Sequence, residues 1–449
     1  MIELLPAFMI LSLMVLVFVG YPVAFVLIGV TIAFATIAIL TNQMSSHMLP
    51  AFAFRLYGLL ADNLIFPAVP PLVFMGVALA RSGLAGDLFD VLGYLLRRVP
   101  GGLFIAVIVL GVVLAPSAGL IGAAVGVLAL VALPTLLKRN YRPELATASV
   151  VAGGTIGVIL PPGIMLFFLA DLIGTPLAGT FSGILLPAAL MIAAYSVYFV
   201  ARAHWQDKTL KPDPIVAGSR TPAEIIGKLV LPVGLVGGVL ASILSGWATP
   251  SQSGALGALG AFVIMLVNRS LNWKRLREIL IETGYVTSMV FLVVIAANAF
   301  SLVFRVLDGD GMVARLLVSL ELGDWGTLLF ILGVIFILGF FIDWLEIVLI
   351  TLPIFVPVIE KLDFAAHVGN HTLVHVWIAT AITIVLQTSF LTPPFGFALF
   401  FLRGAAPPSV RMADIYRGVV PLVGIQLVVL AIMLAMPWLA TWLPGKFLD

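Results

Sequence analysis

A double proline inside a long apolar run constrains this chain more than any other feature. The run is Gly153-Gly154-Thr155-Ile156-Gly157-Val158-Ile159-Leu160-Pro161-Pro162-Gly163, and a related run, Leu386-Gln387-Thr388-Ser389-Phe390-Leu391-Thr392-Pro393-Pro394-Phe395-Gly396, stands near the C-terminus. Proline removes a backbone donor and drives its predecessor out of the α region, so each pair must unwind a helix. Lipid cannot satisfy the polar groups this frees, and such breaks survive where they are buried in protein or line a polar cavity. Two of them in corresponding halves point to the substrate site of a secondary transporter.

Such a site presupposes a membrane, and composition supplies it. Of 449 residues, 62% are hydrophobic and 10% charged, and the mean hydropathy is +1.21. The fold class is an all-α polytopic membrane protein with no large soluble domain. A net charge of +2, carried by short basic clusters between apolar spans, gives no nucleic-acid face. With no cysteine there is no disulfide, thiolate metal site or cysteine nucleophile. Residues 1–40 lack a basic leader region and an A-x-A-like cleavage site, so they read as a retained helix.

In chain order, residues 1–100 hold scaffold helices, with apolar spans at 4–20, 23–41 and 64–80 and an interfacial arm at 42–63. A hairpin occupies 101–137, with arms too short to cross the bilayer on either side of Ala115-Pro116-Ser117-Ala118-Gly119. A broken helix at 145–172 and a span at 179–200 close the first repeat, which ends at 201. The polar stretch 202–222 reads as a cytoplasmic linker. Residues 223–449 then repeat the plan: scaffold 229–320, with an amphipathic arm at 269–282, hairpin 325–360, broken helix 376–405 and span 415–440. Matched features include Pro22 with Pro250, Arg81 with Arg305, Leu133-Pro134 with Leu352-Pro353, Pro161-Pro162 with Pro393-Pro394, and Gly183 with Gly418, at offsets between 219 and 235.

Charge sets the relative orientation of the two halves. The first hairpin is flanked by Arg97, Arg98, Lys138, Arg139 and Arg142. The second is flanked by Asp308, Asp310, Glu321, Asp324, Glu360 and Asp363, with Lys361 among them. By the positive-inside rule the repeats are inverted, with 18 of the 23 Lys and Arg cytoplasmic and both termini periplasmic. The exceptions are Arg55, Arg305, Arg315, Lys361 and Lys446.

Residues 151–163 resemble the signature of the large permease subunit of tripartite ATP-independent periplasmic (TRAP) transporters. So do Arg97 to Gly102, Ala248-Thr249-Pro250-Ser251, Gly339 to Trp344 and Leu391 to Gly396. The likeness covers essentially the whole chain. Ala152-Gly153-Gly154-Thr155 and the stretch from Leu386 to Phe400 are similar to the mannitol/chloroaromatic branch, which includes 2-oxoacid and lactate carriers. The chain departs from the dicarboxylate pattern at Pro116-Ser117-Ala118-Gly119 and at Ser251-Gln252. The resemblance implies a periplasmic substrate-binding protein and a small membrane subunit as partners, an organic acid as substrate, sodium as coupling ion, no cofactor, no use of ATP, and an elevator-like movement in the bacterial inner membrane. On this reading Ser117, Gly119, Gly154, Thr155, Pro161 and Gly163 surround one sodium, and Asp343, Gln387, Thr388, Thr392 and Pro394 its counterpart. Substrate lies near Pro116, Ala118, Pro162, Trp344, Glu346, Ser389 and Pro393. Half-helix N-termini would meet the carboxylate, and unwound carbonyls the cation.

Plainer roles stand beside these. Asp343 and Glu346 can cap the hairpin tip, and Thr155 and Thr388 can bond their own helices. Arg81, Arg305 and Arg403 can snorkel. His367, His371 and His375, spaced by four, could hold a metal on one helical face. Gly122, Gly126, Gly254, Gly257 and Gly260 are packing positions. Two rival classes remain: a stand-alone ion-coupled symporter of the same architecture, and a membrane-embedded enzyme. Against the second, the chain has neither H-E-x-x-H nor G-x-S-x-G; it also has no Walker motif for primary pumping.

Overall fold

Apolar runs punctuated by glycine and proline become helices throughout, as a backbone in lipid requires. The computed structural model describes residues 4–45, 47, 49–58, 63, 65–118, 121–206, 222–393 and 396–448. Within them it describes all side chains but those of 49, 115–118, 206, 222–224, 226 and 318. Helices α1 (Leu5–Phe18) and α2 (Val23–Leu40) are parted by a left-handed turn at Gly20. After α3 (Leu49–Tyr57), α4 (Val69–Arg81) meets α5 (Leu84–Leu95) at 66° across Gly83. The first hairpin is α6 (Gly102–Ala118), α7 (Ile121–Val131) and α8 (Leu133–Lys138). Then α9 (Pro143–Ile156) and α10 (Ile164–Ile173) meet at 44° across the double proline, and α11 (Leu177–Gln206) comes next.

The second half opens with α12 (Pro222–Leu244), α13 (Pro250–Val267), α14 (Trp273–Val306) and α15 (Gly309–Ser319). Its hairpin is α16 (Gly323–Leu338) and α17 (Trp344–Ile359). The short α18 (Ala365–Val368) precedes α19 (His371–Leu391), α20 (Phe397–Ala405), α21 (Met412–Ala435) and α22 (Trp438–Leu448). Among the described residues there is no strand, and eight helices are long and apolar enough to cross a bilayer, or ten if each bent pair counts as one span.

The structure redraws several boundaries. The expected arm at 269–282 is the first part of α14, a single helix of 34 residues and about 50 Å. Its start is fixed by Asn272, whose side chain accepts the Arg275 amide, and no proline interrupts the helix as far as Val306. The expected span 415–440 is divided at Met436-Pro437 into α21 and α22. Helix α6 runs on to Ala118, through most of the expected tip, and Gly119 lies outside the described residues. Of the expected linker, residues 202–206 continue α11 and 207–221 lie outside the described residues.

Between helices in lipid the driving forces are van der Waals packing and close backbone approach, for which small residues serve. The two halves exchange such contacts reciprocally. Helix α9 packs on its own hairpin (α6, α7) and on α21, while α19 packs on α16 and on α11. The distal arms cross over as well: α10 lies against α17, and α20 against α7. A Cβ at Gly418 would lie 2.1 Å from the Glu144 carbonyl oxygen and 3.1 Å from the Ala148 Cβ. One at Gly183 would lie 2.9 Å from Val376 Cγ1 and 3.0 Å from Thr380 Oγ1. A single offset of 232 carries Glu144 to Val376 and Ala148 to Thr380, so the duplication is visible in packing at the level of residues. Helix α19 lies at the centre, with 94% of its apolar window buried, whereas α12 at the periphery has 17% of its apolar window covered. Gly254 and Gly257 seat α13 on α4 through Leu72 and Met75, but among the described residues a Cβ at Gly126 would meet nothing within 4 Å outside its own helix.

Candidate functional site

The first break is a sequence of small steps. Helix α9 tightens into a 3-10 turn at Gly157–Ile159, Leu160 is extended, the Pro161–Pro162 peptide is cis, and Gly163 caps α10 in an extended conformation. The amides of Ile164 and Met165 have no backbone acceptor among the described residues, so α10 presents a free N-terminus at the break. The glycines are explained by contact. A Cβ at Gly111 of α6 would lie 2.1 Å from the Gly153 carbonyl oxygen, and one at Gly154 would lie 2.5 Å from Val125 Cγ2 of α7. Hairpin and broken helix therefore meet backbone to backbone. Gly163 has no room for a Cβ either, which would lie 2.5 Å from the Val158 carbonyl oxygen.

The second break is built from side chains. Helix α19 ends at Leu391, Thr392 is extended, and Gly396 begins the next arm; Pro394 lies outside the described residues. Gly396 repeats the role of Gly163, since a Cβ there would lie 2.7 Å from the Phe390 carbonyl oxygen. Just before the break, the Thr388, Ser389 and Thr392 hydroxyls donate to carbonyls of their own helix at 2.6 to 2.8 Å. The Thr155 hydroxyl donates to Val151 at 2.9 Å in the same manner. Gln387 is fully buried, and neither amide atom has a partner among the described residues. Such a group costs roughly 1–3 kcal/mol per unmet polar atom unless something else satisfies it.

Hairpin tips and breaks converge. Gly339, at the end of α16, abuts Ser389, where a Cβ would lie 1.9 Å from the hydroxyl oxygen. Asp343 caps α17, accepting the Trp344 amide at 2.8 Å, and Glu346 accepts the Asp343 amide at 3.4 Å. These two carboxylates form a capping box, the plainer of their two expected roles. The Trp344 ring sits 6.0 Å from that of Phe168 in α10, and its buried Nε1 has no partner among the described residues. The second hairpin thus reaches the distal arm of the first break. From the first half, Gly154, Thr155, Pro161, Pro162 and Gly163 are brought together; the side chains of Pro116, Ser117 and Ala118 are not described, and Gly119 lies outside the described residues. From the second half, Asp343, Trp344 and Glu346 stand at the hairpin tip, and Gln387, Thr388, Ser389, Thr392 and Pro393 at the break.

The sequence profile described as tripartite ATP-independent periplasmic transporter, DctM component, matches residues 10–439. The chain belongs to this family. It is 26% identical over 441 residues to the ectoine/5-hydroxyectoine TRAP transporter large permease protein of Ruegeria pomeroyi, covering 96% of this chain and 97% of that one. To the C4-dicarboxylate TRAP transporter large permease protein of Pseudomonas aeruginosa it is 27% identical, covering 84% and 86%. To the isethionate TRAP transporter permease protein of Oleidesulfovibrio alaskensis it is 25% identical, covering 95% of this chain and 66% of that longer protein. In fold it is similar to the crystal structure of the Alcanivorax borkumensis YdaH transporter, described as having an unusual topology, with a TM-score of 0.60 at 17% identity, covering 96% and 98%. The relatives match at similar identity across several named substrates, so the similarity does not select a substrate branch.

The histidines do not form a metal face. Gly369 ends α18 in a left-handed turn, and His367 packs against Trp325 and Trp377 with Nε2 2.9 Å from the Leu434 carbonyl. Arg403 donates to the Val410 carbonyl at 2.7 Å, and Arg81 pairs with Glu278 and Glu282 of α14. Arg305, expected to snorkel, lines a cleft of about 420 Å³ with Arg55, Asn298 and Ser301. Its signal was present: Asn298, Ser301 and Arg305 recur at i, i+3 and i+7 on one face of an apolar helix.

Proposed function

We propose that this TRAP large permease imports a small organic acid, of the 2-oxoacid, lactate-like or aromatic carboxylate class, by sodium symport. The observation that carries the reading is the pair of breaks at the centre of the fold, each seated on its own hairpin and crossed by an arm from the other half. Unwound carbonyls, together with the buried Gln387 amide, offer oxygen ligands for a hard cation such as sodium. The free amides and positive dipole end of α10 suit a carboxylate. Sodium binding thereby completes the Gln387 environment and so favours the closed tip over the break.

Hairpins and broken helices form the moving body and the remaining helices the scaffold, in inverted repeats with both termini periplasmic. A periplasmic binding protein delivers the acid, and a small membrane subunit completes the scaffold in the bacterial inner membrane. The permease of Oleidesulfovibrio alaskensis, longer than this chain, carries the combined designation DctMQ, which supports an intimate association of permease parts. Membership in a transporter family favours this over a membrane-embedded enzyme. The rival stand-alone symporter differs in one requirement. Proteoliposomes holding permease and small subunit should take up a labelled 2-oxoacid, lactate or aromatic acid when both the binding protein and an inward sodium gradient are present. Uptake by the permease alone, or full uptake without sodium, would overturn the proposal.

A further inference from the structure

The cleft at Arg55 and Arg305 lies where two bodies meet. Its outer wall is α3 and α14, which pack together; its inner wall is the end of α10, at Leu172, and the face of α17 at Leu349 and Pro353. This is a different place from the hairpin tip, since Pro353 stands almost three turns beyond Asp343 along α17. The volume of about 420 Å³ is in the range of small-molecule sites.

Its chemistry is that of an anion site. Among the described residues Arg55 has no ion-pair partner. Arg305 has one, Asp310, whose Oδ2 is 3.5 Å from Nε, longer than a charge-assisted hydrogen bond. The Ser301 hydroxyl donates to no described acceptor, while the Asn298 amide is held by the Val294 carbonyl at 3.0 Å. Asp171, beside Leu172, accepts from the Asn63 amide at 2.8 Å. We propose that this cleft is a second anion site, which takes the carboxylate of an organic acid against Arg55 and Arg305 at the seam between α14 and the α10 and α17 wall. The choice of an organic acid rests on the transport reading above. Guanidinium pairs suit this ligand because they present fork-like donors to its two oxygens.

Arginine-selective modification tests the site without transport. Permease with its small subunit, in nanodiscs of phosphatidylcholine, is treated with phenylglyoxal in potassium pyruvate or in potassium chloride of equal ionic strength, and each arginine is read by mass spectrometry. Pyruvate at several times its Kd should slow modification of Arg55 and Arg305 roughly fivefold, and leave the exposed Arg277 unchanged. Protection of Arg55 should vanish in Arg305→Gln and persist in Arg305→Lys. Equal rates in the two salts, or equal protection of Arg277, would overturn the site. So would protection conferred by anionic phosphatidylglycerol to which pyruvate adds nothing, which would assign the cleft to a lipid headgroup. Because sodium is absent and no uptake is measured, failure here leaves the coupling proposal standing, and failure of coupled uptake leaves this result readable.

Discussion

The two breaks share a plan and differ in material. Both seat a glycine over a carbonyl oxygen, Gly163 over that of Val158 and Gly396 over that of Phe390. In the first, hairpin and helix touch through backbone, at Gly111 against Gly153 and Gly154 against Val125. In the second they touch through side chains, at Gly339 against Ser389, beside a buried Gln387 with an unmet amide. Duplication has produced one seam fixed by sterics and one open to chemistry. The first break is thus expected to tolerate loss of its hydroxyl better than loss of a glycine, and the second to be relieved of its steric limit by a side-chain change.

The largest effect expected is from Gly111→Val. Its Cβ would meet a main-chain carbonyl that cannot rotate away, so destabilisation should reach about 3 kcal/mol, read as loss of folded protein by thermal unfolding in detergent. Next is Gln387→Met. Removing a buried, unpartnered amide should leave the melting temperature unchanged or raise it, yet sodium-driven uptake should fall roughly a hundredfold. A mere packing role would move the two together. Smaller is Gly339→Ala, which lowers stability because its Cβ meets the Ser389 hydroxyl, and which Ser389→Gly should rescue. The first half already carries that arrangement, with Ala115 and Gly157 at the matching offsets of 224 and 232. Failure of rescue would show that the second seam is as rigid as the first. The least effect is expected from Asp343→Ala, about 1 kcal/mol for the lost cap of α17, largely recovered by Asp343→Asn. A large uptake defect in Asp343→Asn at normal stability would make that carboxylate an ion ligand after all.

Much of this was legible in the sequence for local reasons. Pro161-Pro162 and Pro393-Pro394 must break helices wherever they stand, and Gly83 and Gly369 must end them where φ is positive. The continuity of α14 was not legible, because the charged stretch Lys274 to Glu282 resembles an interfacial arm, and only the neighbours of α14 show that it runs unbroken into the core. Nor could the sequence say that Gly153 faces a carbonyl of α9's partner hairpin, since that is a tertiary contact. The split at Met436-Pro437 and the stripe Asn298, Ser301 and Arg305 were readable, although 415–440 reads as one span and Arg305 as a snorkelling residue.

Equilibrium binding of radioactive sodium to the purified permease and small subunit, measured without substrate or gradient, tests whether the breaks hold the coupling ion. Saturable binding is expected, abolished by Gln387→Met and preserved in Asp343→Asn. Undiminished binding in folded Gln387→Met, or no saturable binding in the unaltered protein, would refute the assignment of the ion to the breaks.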